Sequence, residues 1–244
     1  MCLFKLIAAK RFSEFCEIYE KNAQFSAANP EFADLIPGNY VKALLGCKNY
    51  KKAMDFSLEQ ILKNQSPKKK YDRSSSSFYI ACSIAKMQLH HDDALKILYD
   101  GRKAKYQDIS RTEVPCIMYY EAVMLNDEIA KKQSLELLKK SLKNNRDSSY
   151  EFSLAQFIIG KYTEEELMQK ISTIPPTLLE RYQVKALFYA AVKEYEKGNI
   201  ERYKDLLCRI ESLYCKQPFI VIEWEYLLSV ICRENEEGKE DKSK

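Results

Sequence analysis

One short pattern recurs along this chain: a turn of small, basic or Asn/Gly residues, an aromatic or aliphatic, two polar residues, then a small or apolar residue that opens a helix. Its copies are Lys10-Arg11-Phe12-Ser13-Glu14-Phe15, Lys48-Asn49-Tyr50-Lys51-Lys52-Ala53, Leu89-His90-His91-Asp92-Asp93-Ala94, Ala130-Lys131-Lys132-Gln133-Ser134, Gly160-Lys161-Tyr162-Thr163-Glu164-Glu165 and Gly198-Asn199-Ile200-Glu201-Arg202-Tyr203. Counted from the last residue of each copy, the steps are 38, 41, 40, 31 and 38 residues. That is the length of one helical hairpin plus its connector. A lone hairpin cannot bury its apolar face, so such a period predicts stacked hairpins.

Proline breaks helix interiors, and it tests this reading. Pro30 and Pro37 fall between the first and second copies, Pro67 between the second and third, Pro115 between the third and fourth, Pro175 and Pro176 between the fifth and sixth, and Pro218 after the last. All seven are expected between hairpins. Gly160 and Gly198 belong in turns inside hairpins, where a helix C-terminus wants positive φ. Ser110-Arg111-Thr112-Glu113, Thr163-Glu164-Glu165-Glu166 and Thr177-Leu178-Leu179-Glu180 have capping-box form. Asp92 and Asn199 can act as simple N-caps. Between these signals the apolar spacing is helical, as in Ile80, Ile84 and Met87 or Leu135, Leu138 and Leu142, and no run of β alternation stands out. The segment 218–234 reads as a terminal helix covering the open end of the stack, and 234–244, nearly all charged, as a disordered tail. Residues 64–77 read as a loop whose serines can begin the next helix.

With 46% hydrophobic and 30% charged residues in 244, the chain reads as globular, and a net charge of +4 permits an acidic partner without demanding one. The apolar run from Phe219 to Cys232 is broken by Glu223 and Glu225, which argues against a membrane span. The N-terminal run is interrupted by Lys5 and is a poor signal peptide, so a cytoplasmic protein with reduced thiols is expected. The eight cysteines never form C-x-x-C, and the only histidines are the adjacent His90 and His91 in a turn. No metal site follows from such spacing. Cys82, Cys208 and Cys215 read as packing residues.

Tyr50 with Ala53, Ala85 with Ala94 after Phe78-Tyr79-Ile80-Ala81-Cys82-Ser83-Ile84, Tyr119-Tyr120-Glu121-Ala122 with Ser134-Leu135-Glu136-Leu137-Leu138, and Leu187-Phe188-Tyr189-Ala190-Ala191-Val192 before Gly198 carry a resemblance. The chain resembles the tetratricopeptide (TPR) repeat family. Tyr203 and Glu165 depart from the small residue the family prefers, and the longer steps exceed its usual length. The resemblance implies an all-α, right-handed TPR-like solenoid over residues 1–233, closed by a C-terminal capping helix, with the first helix of each hairpin lining a concave, peptide- or protein-binding side. Aligned on the copies, Tyr79, Tyr119, Tyr150 and Phe188 share one position of the first helices, and Lys86, Asn126, Phe157 and Tyr195 share a neighbouring one. These rings either pack helix on helix or line the groove. Under the groove reading, Tyr79, Lys86, Tyr119, Asn126, Tyr150, Phe188 and Tyr195 bind the partner.

No G-x-S-x-G, phosphate-binding Gly-rich loop or H-E-x-x-H is present. Glu164, Glu165 and Glu166 are explained by a helix start. The expectation is a non-enzymatic scaffold without cofactor or metal, binding a protein or peptide partner. An immunity protein that occludes a toxin, or a secretion chaperone or assembly adaptor, would fit. The competing reading is nucleic acid binding through Lys68, Lys69, Lys70 and Arg73, Lys131 and Lys132, and Lys139, Lys140, Lys143 and Arg146. The last group is interleaved with Leu135, Leu138 and Leu142, as on the solvated side of an amphipathic helix.

Overall fold

The computed structural model describes residues 3–22, 35–64, 72–106, 111–144, 150–214, 220 and 223–242. They form α1 (Leu3–Ala8), α2 (Phe12–Lys21), α3 (Leu35–Gly46), α4 (Tyr50–Asn64), β1 (Asp72–Ser75), α5 (Ser76–Gln88), α6 (Ala94–Gly101), β2 (Ala104–Tyr106), α7 (Glu113–Met124), α8 (Glu128–Asn144), α9 (Tyr150–Ile158), α10 (Glu164–Ile171), α11 (Pro176–Glu196), α12 (Ile200–Tyr214) and α13 (Trp224–Lys242). The architecture is helical, with one exception. Asp72–Ser75 pairs in parallel with Ala104–Tyr106. These segments lack apolar alternation and are joined through their backbones, so side-chain pattern could not announce them.

Six hairpin turns share one geometry. Lys10, Lys48, His90, Asn126, Gly160 and Gly198 all have positive φ, between 55° and 81°. In each, the positive-φ residue donates its N–H to the carbonyl three residues back at 2.9–3.1 Å, and the next residue donates to the carbonyl five back at 2.8–2.9 Å. This paired arrangement satisfies carbonyls that a helix end leaves open. Four of the six turns use a non-glycine residue, at a cost of about 1–2 kcal/mol each. The intervals between these residues are 38, 42, 36, 34 and 38. They correct one register: Ala130-Lys131-Lys132-Gln133-Ser134 is not a turn but lies inside α8, and the fourth turn is Leu125-Asn126-Asp127.

The prolines also move. Pro37 and Pro115 are each the third residue of a helix, and Pro176 is the first residue of α11. In the first turn an N–H has no helical partner to lose, so proline is tolerated there. Pro30, Pro67 and Pro218 lie outside the described residues. Of the expected caps, Thr163 forms the full box: Glu166 N–H donates to Thr163 Oγ1 at 3.2 Å, and Thr163 N–H to Glu166 Oε2 at 2.7 Å. Thr112 makes no side-chain cap bond, and Thr177 lies within α11, which starts at Pro176.

The chain divides into two compact units, 1–141 and 142–244. In unit 1, α2 packs on α3, α4 on α5 and α6 on α7, while the first helices α3, α5 and α7 touch in succession. Fully buried Ala53, Ala81, Ala85 and Ala94 keep these helices close, around Leu98 and Ile117. Unit 2 repeats the scheme, with α10 on α11, α12 on α13, and first helices α9, α11 and α13 in contact. Its core is Ala155, Val184, Phe188, Ala191, Leu206, Ile210 and Tyr203. Glu223, just before α13, receives Arg181 Nε at 2.5 Å and Lys185 Nζ at 3.2 Å, fixing α13 to α11.

The terminal helix begins at Trp224, later than the expected 218, and runs to Lys242. The charged tail expected over 234–244 is therefore helical as far as residue 242. Glu and Lys are good helix formers, and a helix already nucleated on the core extends through them at little cost. Among the described residues, no helix is long and apolar enough to cross a membrane.

Candidate binding cleft

Unit 2 contains an open cleft of about 320 Å³ at the turn ends of two successive hairpins. Phe157 comes from the last turn of α9, Thr163, Glu164 and Glu165 from the start of α10, Lys193 and Glu194 from the last turn of α11, Lys197 from the following turn and Arg202 from α12. The turns at Gly160 and Gly198 bring these segments side by side, because both reverse the chain in the same geometry.

Most charges in the cleft are matched internally. Arg202 Nη2 lies 2.8 Å from Glu164 Oε2 and ties α12 to α10, and its Nε lies 3.9 Å from Glu194 Oε2. Lys197 Nζ donates to Glu194 Oε1 at 2.6 Å, and Asn199 Nδ2 to Glu194 Oε2 at 2.8 Å. The hydrogen bond from Lys197 holds the Glu194 carboxyl below its ordinary value, with Asn199 assisting. Glu165 is likewise held down by its own backbone N–H and the Thr163 hydroxyl at the helix start.

Lys193 differs from these. It is half-buried, its Nζ 5.1 Å from the centre of the Phe157 ring, and no carboxylate among the described residues lies in ion-pair distance. Burial pushes its pKa down, with Glu196 opposing and Lys197 adding to the shift. A partly buried cation over an aromatic face, beside an open cleft, gains from an incoming anion.

The residues expected to bind a partner are placed otherwise. Tyr79 and Tyr119 in unit 1 are each 2% exposed, and in unit 2 Phe188 is 0% and Tyr150 7% exposed. These rings are core and fill the space between helices, as in the helix-on-helix alternative of the sequence reading. Phe188 packs edge-on to Tyr189, with ring centres 5.3 Å apart, and the Tyr150 hydroxyl donates to the Tyr182 carbonyl at 2.7 Å. Lys86 is buried, its Nζ 2.8 Å from both carboxylate oxygens of Asp93 across the turn. Asn126 is exposed, but as the positive-φ residue of a turn. Tyr195 is half-buried against Tyr203, with ring centres 5.1 Å apart.

The turns set the register of these positions. Counted back three from each positive-φ residue, the equivalent positions are Ile7, Leu45, Met87, Val123, Phe157 and Tyr195. Phe157 and Tyr195 do correspond, while Lys86 and Asn126 belong to other positions. Lys193 was missed, although its i+4 neighbour is Lys197 and its i−4 neighbour Tyr189, which leaves no acid at the helical spacing that best pairs a lysine.

Of the basic groups, Lys132, Lys140 and Lys143 are exposed on α8. Lys131 is held by Glu128 at 2.5 Å and Lys139 by Glu136 at 3.0 Å, all on α8. Lys68, Lys69, Lys70, Arg146 and the Arg73 side chain lie outside the described residues. His90 and His91 are exposed in their turn. No family model, curated protein or solved structure matches the chain.

Proposed function

We propose that this chain is a non-enzymatic, cytoplasmic protein-binding scaffold, a right-handed TPR-like solenoid, and that its partner places an acidic group on Lys193 in the unit 2 cleft. The observation that carries the reading is Lys193 itself. It is the cleft cation left without a carboxylate where Lys197 and Arg202 are matched. Rigid hairpins closed by repeated turns present such a cleft preformed, so binding orders little backbone. Occlusion of a toxin, or chaperoning of an exported or assembling protein, would use the same surface.

The test is recovery of a tagged copy from its source cell at moderate salt, with and without nuclease, beside Lys193→Met, which keeps the aliphatic stem and removes the charge. One protein recovered near stoichiometry, indifferent to nuclease and lost from Lys193→Met, supports the scaffold and its cleft. Equal recovery by the variant removes the cleft from the interface, and nuclease-sensitive recovery of many proteins replaces the reading with nucleic acid binding.

A further inference from the structure

Glu121, in the last turn of α7, is 0% exposed. Its Oε2 lies 2.5 Å from Ser83 Oγ of α5, and its Oε1 is buried without a hydrogen-bond partner. Ser83 Oγ also lies 2.8 Å from the carbonyl oxygen of Ala94, the first residue of α6. A single hydroxyl therefore stands between two oxygens on two other helices.

Hydrogen counting decides what this cluster is. A hydroxyl has one hydrogen to donate, and a carbonyl oxygen can only accept. With Ser83 donating to Ala94, the short contact to Glu121 has a hydrogen only when the carboxyl supplies it. The alternative, an ionised Glu121, has at most the Ser83 hydrogen for an anion fully removed from water, with Oε1 bare and the Ala94 carbonyl deprived of that donor. Burial of a charge on those terms is far costlier than burial of a neutral acid.

The surrounding charges do not rescue the anion. From α5, Lys86 is committed to Asp93, and Cys82 is a buried thiol pushed up to about 12. Just before α6, Asp93 is itself anionic and exposed, and on α6 Lys96 is exposed and Asp100 takes Lys103 Nζ at 2.7 Å. On α8, Lys131 is paired with Glu128. The Glu121 carboxyl is accordingly pushed up to about 8, by burial, with the Ser83 hydrogen bond opposing.

We propose that Glu121 is a proton-held latch: its neutral carboxyl donates to Ser83, which donates to the Ala94 carbonyl, and loss of that one proton in mildly alkaline solution loosens the junction of α5, α6 and α7. The sign follows from linkage. The folded chain holds a proton that the unfolded chain releases near 4.5, so the stabilisation is full below 4.5 and falls as pH rises through about 8. Over that interval the unfolding equilibrium constant rises by about tenfold per pH unit from this group alone.

The test compares urea unfolding of the full chain with Glu121→Gln, a neutral isostere whose amide can donate to Ser83, from mildly acidic to mildly alkaline pH. Glu121→Gln is expected to gain on the parent steadily as pH rises, the difference levelling off near the folded-state titration. An infrared carboxylic-acid carbonyl band at neutral pH, absent from the variant, is the direct signature. If Glu121→Gln does not fold, the same band is followed in the parent protein alone, where its loss on alkalinisation together with weakened unit 1 stability supports the latch. A difference between the two proteins that does not change with pH, or no acid band at neutral pH, overturns it.

Discussion

Gly101, the last residue of α6, faces Tyr79 of α5 so closely that a β-carbon at position 101 would fall 2.6 Å from Tyr79 Cβ and 2.9 Å from its Cγ. Tyr79 Cβ is fixed to the backbone and its ring is core, so neither can swing aside. Helix propensity favours alanine at position 101 by up to about 1 kcal/mol, but overpacking opposes it with about 1–3 kcal/mol. Gly101→Ala is expected to lower the urea midpoint. Gly238→Ala on α13, where nothing lies within 4 Å, is the control and should hold or raise it.

Ala94 is 1% exposed and its carbonyl receives Ser83. Ala94→Asp puts a carboxylate among packed helices and should cost more than about 3 kcal/mol, because a buried charge without compensation is among the most destabilising substitutions. Circular dichroism through a thermal melt measures it. A melt like the parent's would mean that α5, α6 and α7 are not packed in this register.

The six turns allow opposite effects from similar changes. Gly198→Ala places a β-carbon at φ +77 and should destabilise by about 1 kcal/mol, although no neighbour lies within 4 Å. His90→Gly, at φ 58, relieves the same strain and should stabilise by a comparable amount. Paired unfolding curves that move in the same direction would refute the shared turn geometry as the cause.

Asp93 and Lys86 give unit 1 an acid dependence opposite in sign to that of Glu121. The hydrogen bond from Lys86 is the main force holding the Asp93 carboxyl below its ordinary value. Its contribution is therefore present above the unfolded carboxylate value and lost as pH falls through the folded one. Asp93→Asn should weaken the protein at neutral pH, with the difference from the parent vanishing in strong acid. Asp93 is about half exposed, so added salt should shrink the effect.

Much of the hairpin plan was legible in the residues. Gly160 and Gly198 announced their turns because positive φ excludes most side chains, and Thr163 with Glu166 announced a helix start through its capping chemistry. Lys10, Lys48 and His90 occupy the same conformation without a telltale residue, since a terminal pair of hydrogen bonds offsets the strain. Lys131-Lys132 imitated Lys10-Arg11 closely enough to misplace the fourth turn, and that slip misaligned Asn126, while Lys86 is displaced by one residue because His90 lies four residues before Ala94, where Gly160 and Gly198 lie five before Glu165 and Tyr203. The β1 and β2 pairing is made by backbone groups and leaves no side-chain pattern.

Sequence alone determined that the chain is built of helical hairpins, because apolar periodicity, capping and proline position act over a few residues and need no distant contact. Tertiary structure decided which aromatic rings are core, that Lys193 is left without a carboxylate while Lys197 and Arg202 are matched, and that Glu121 is buried on a serine 38 residues away. Those outcomes depend on which charges and hydroxyls packing brings together, and local spacing carries no record of that choice.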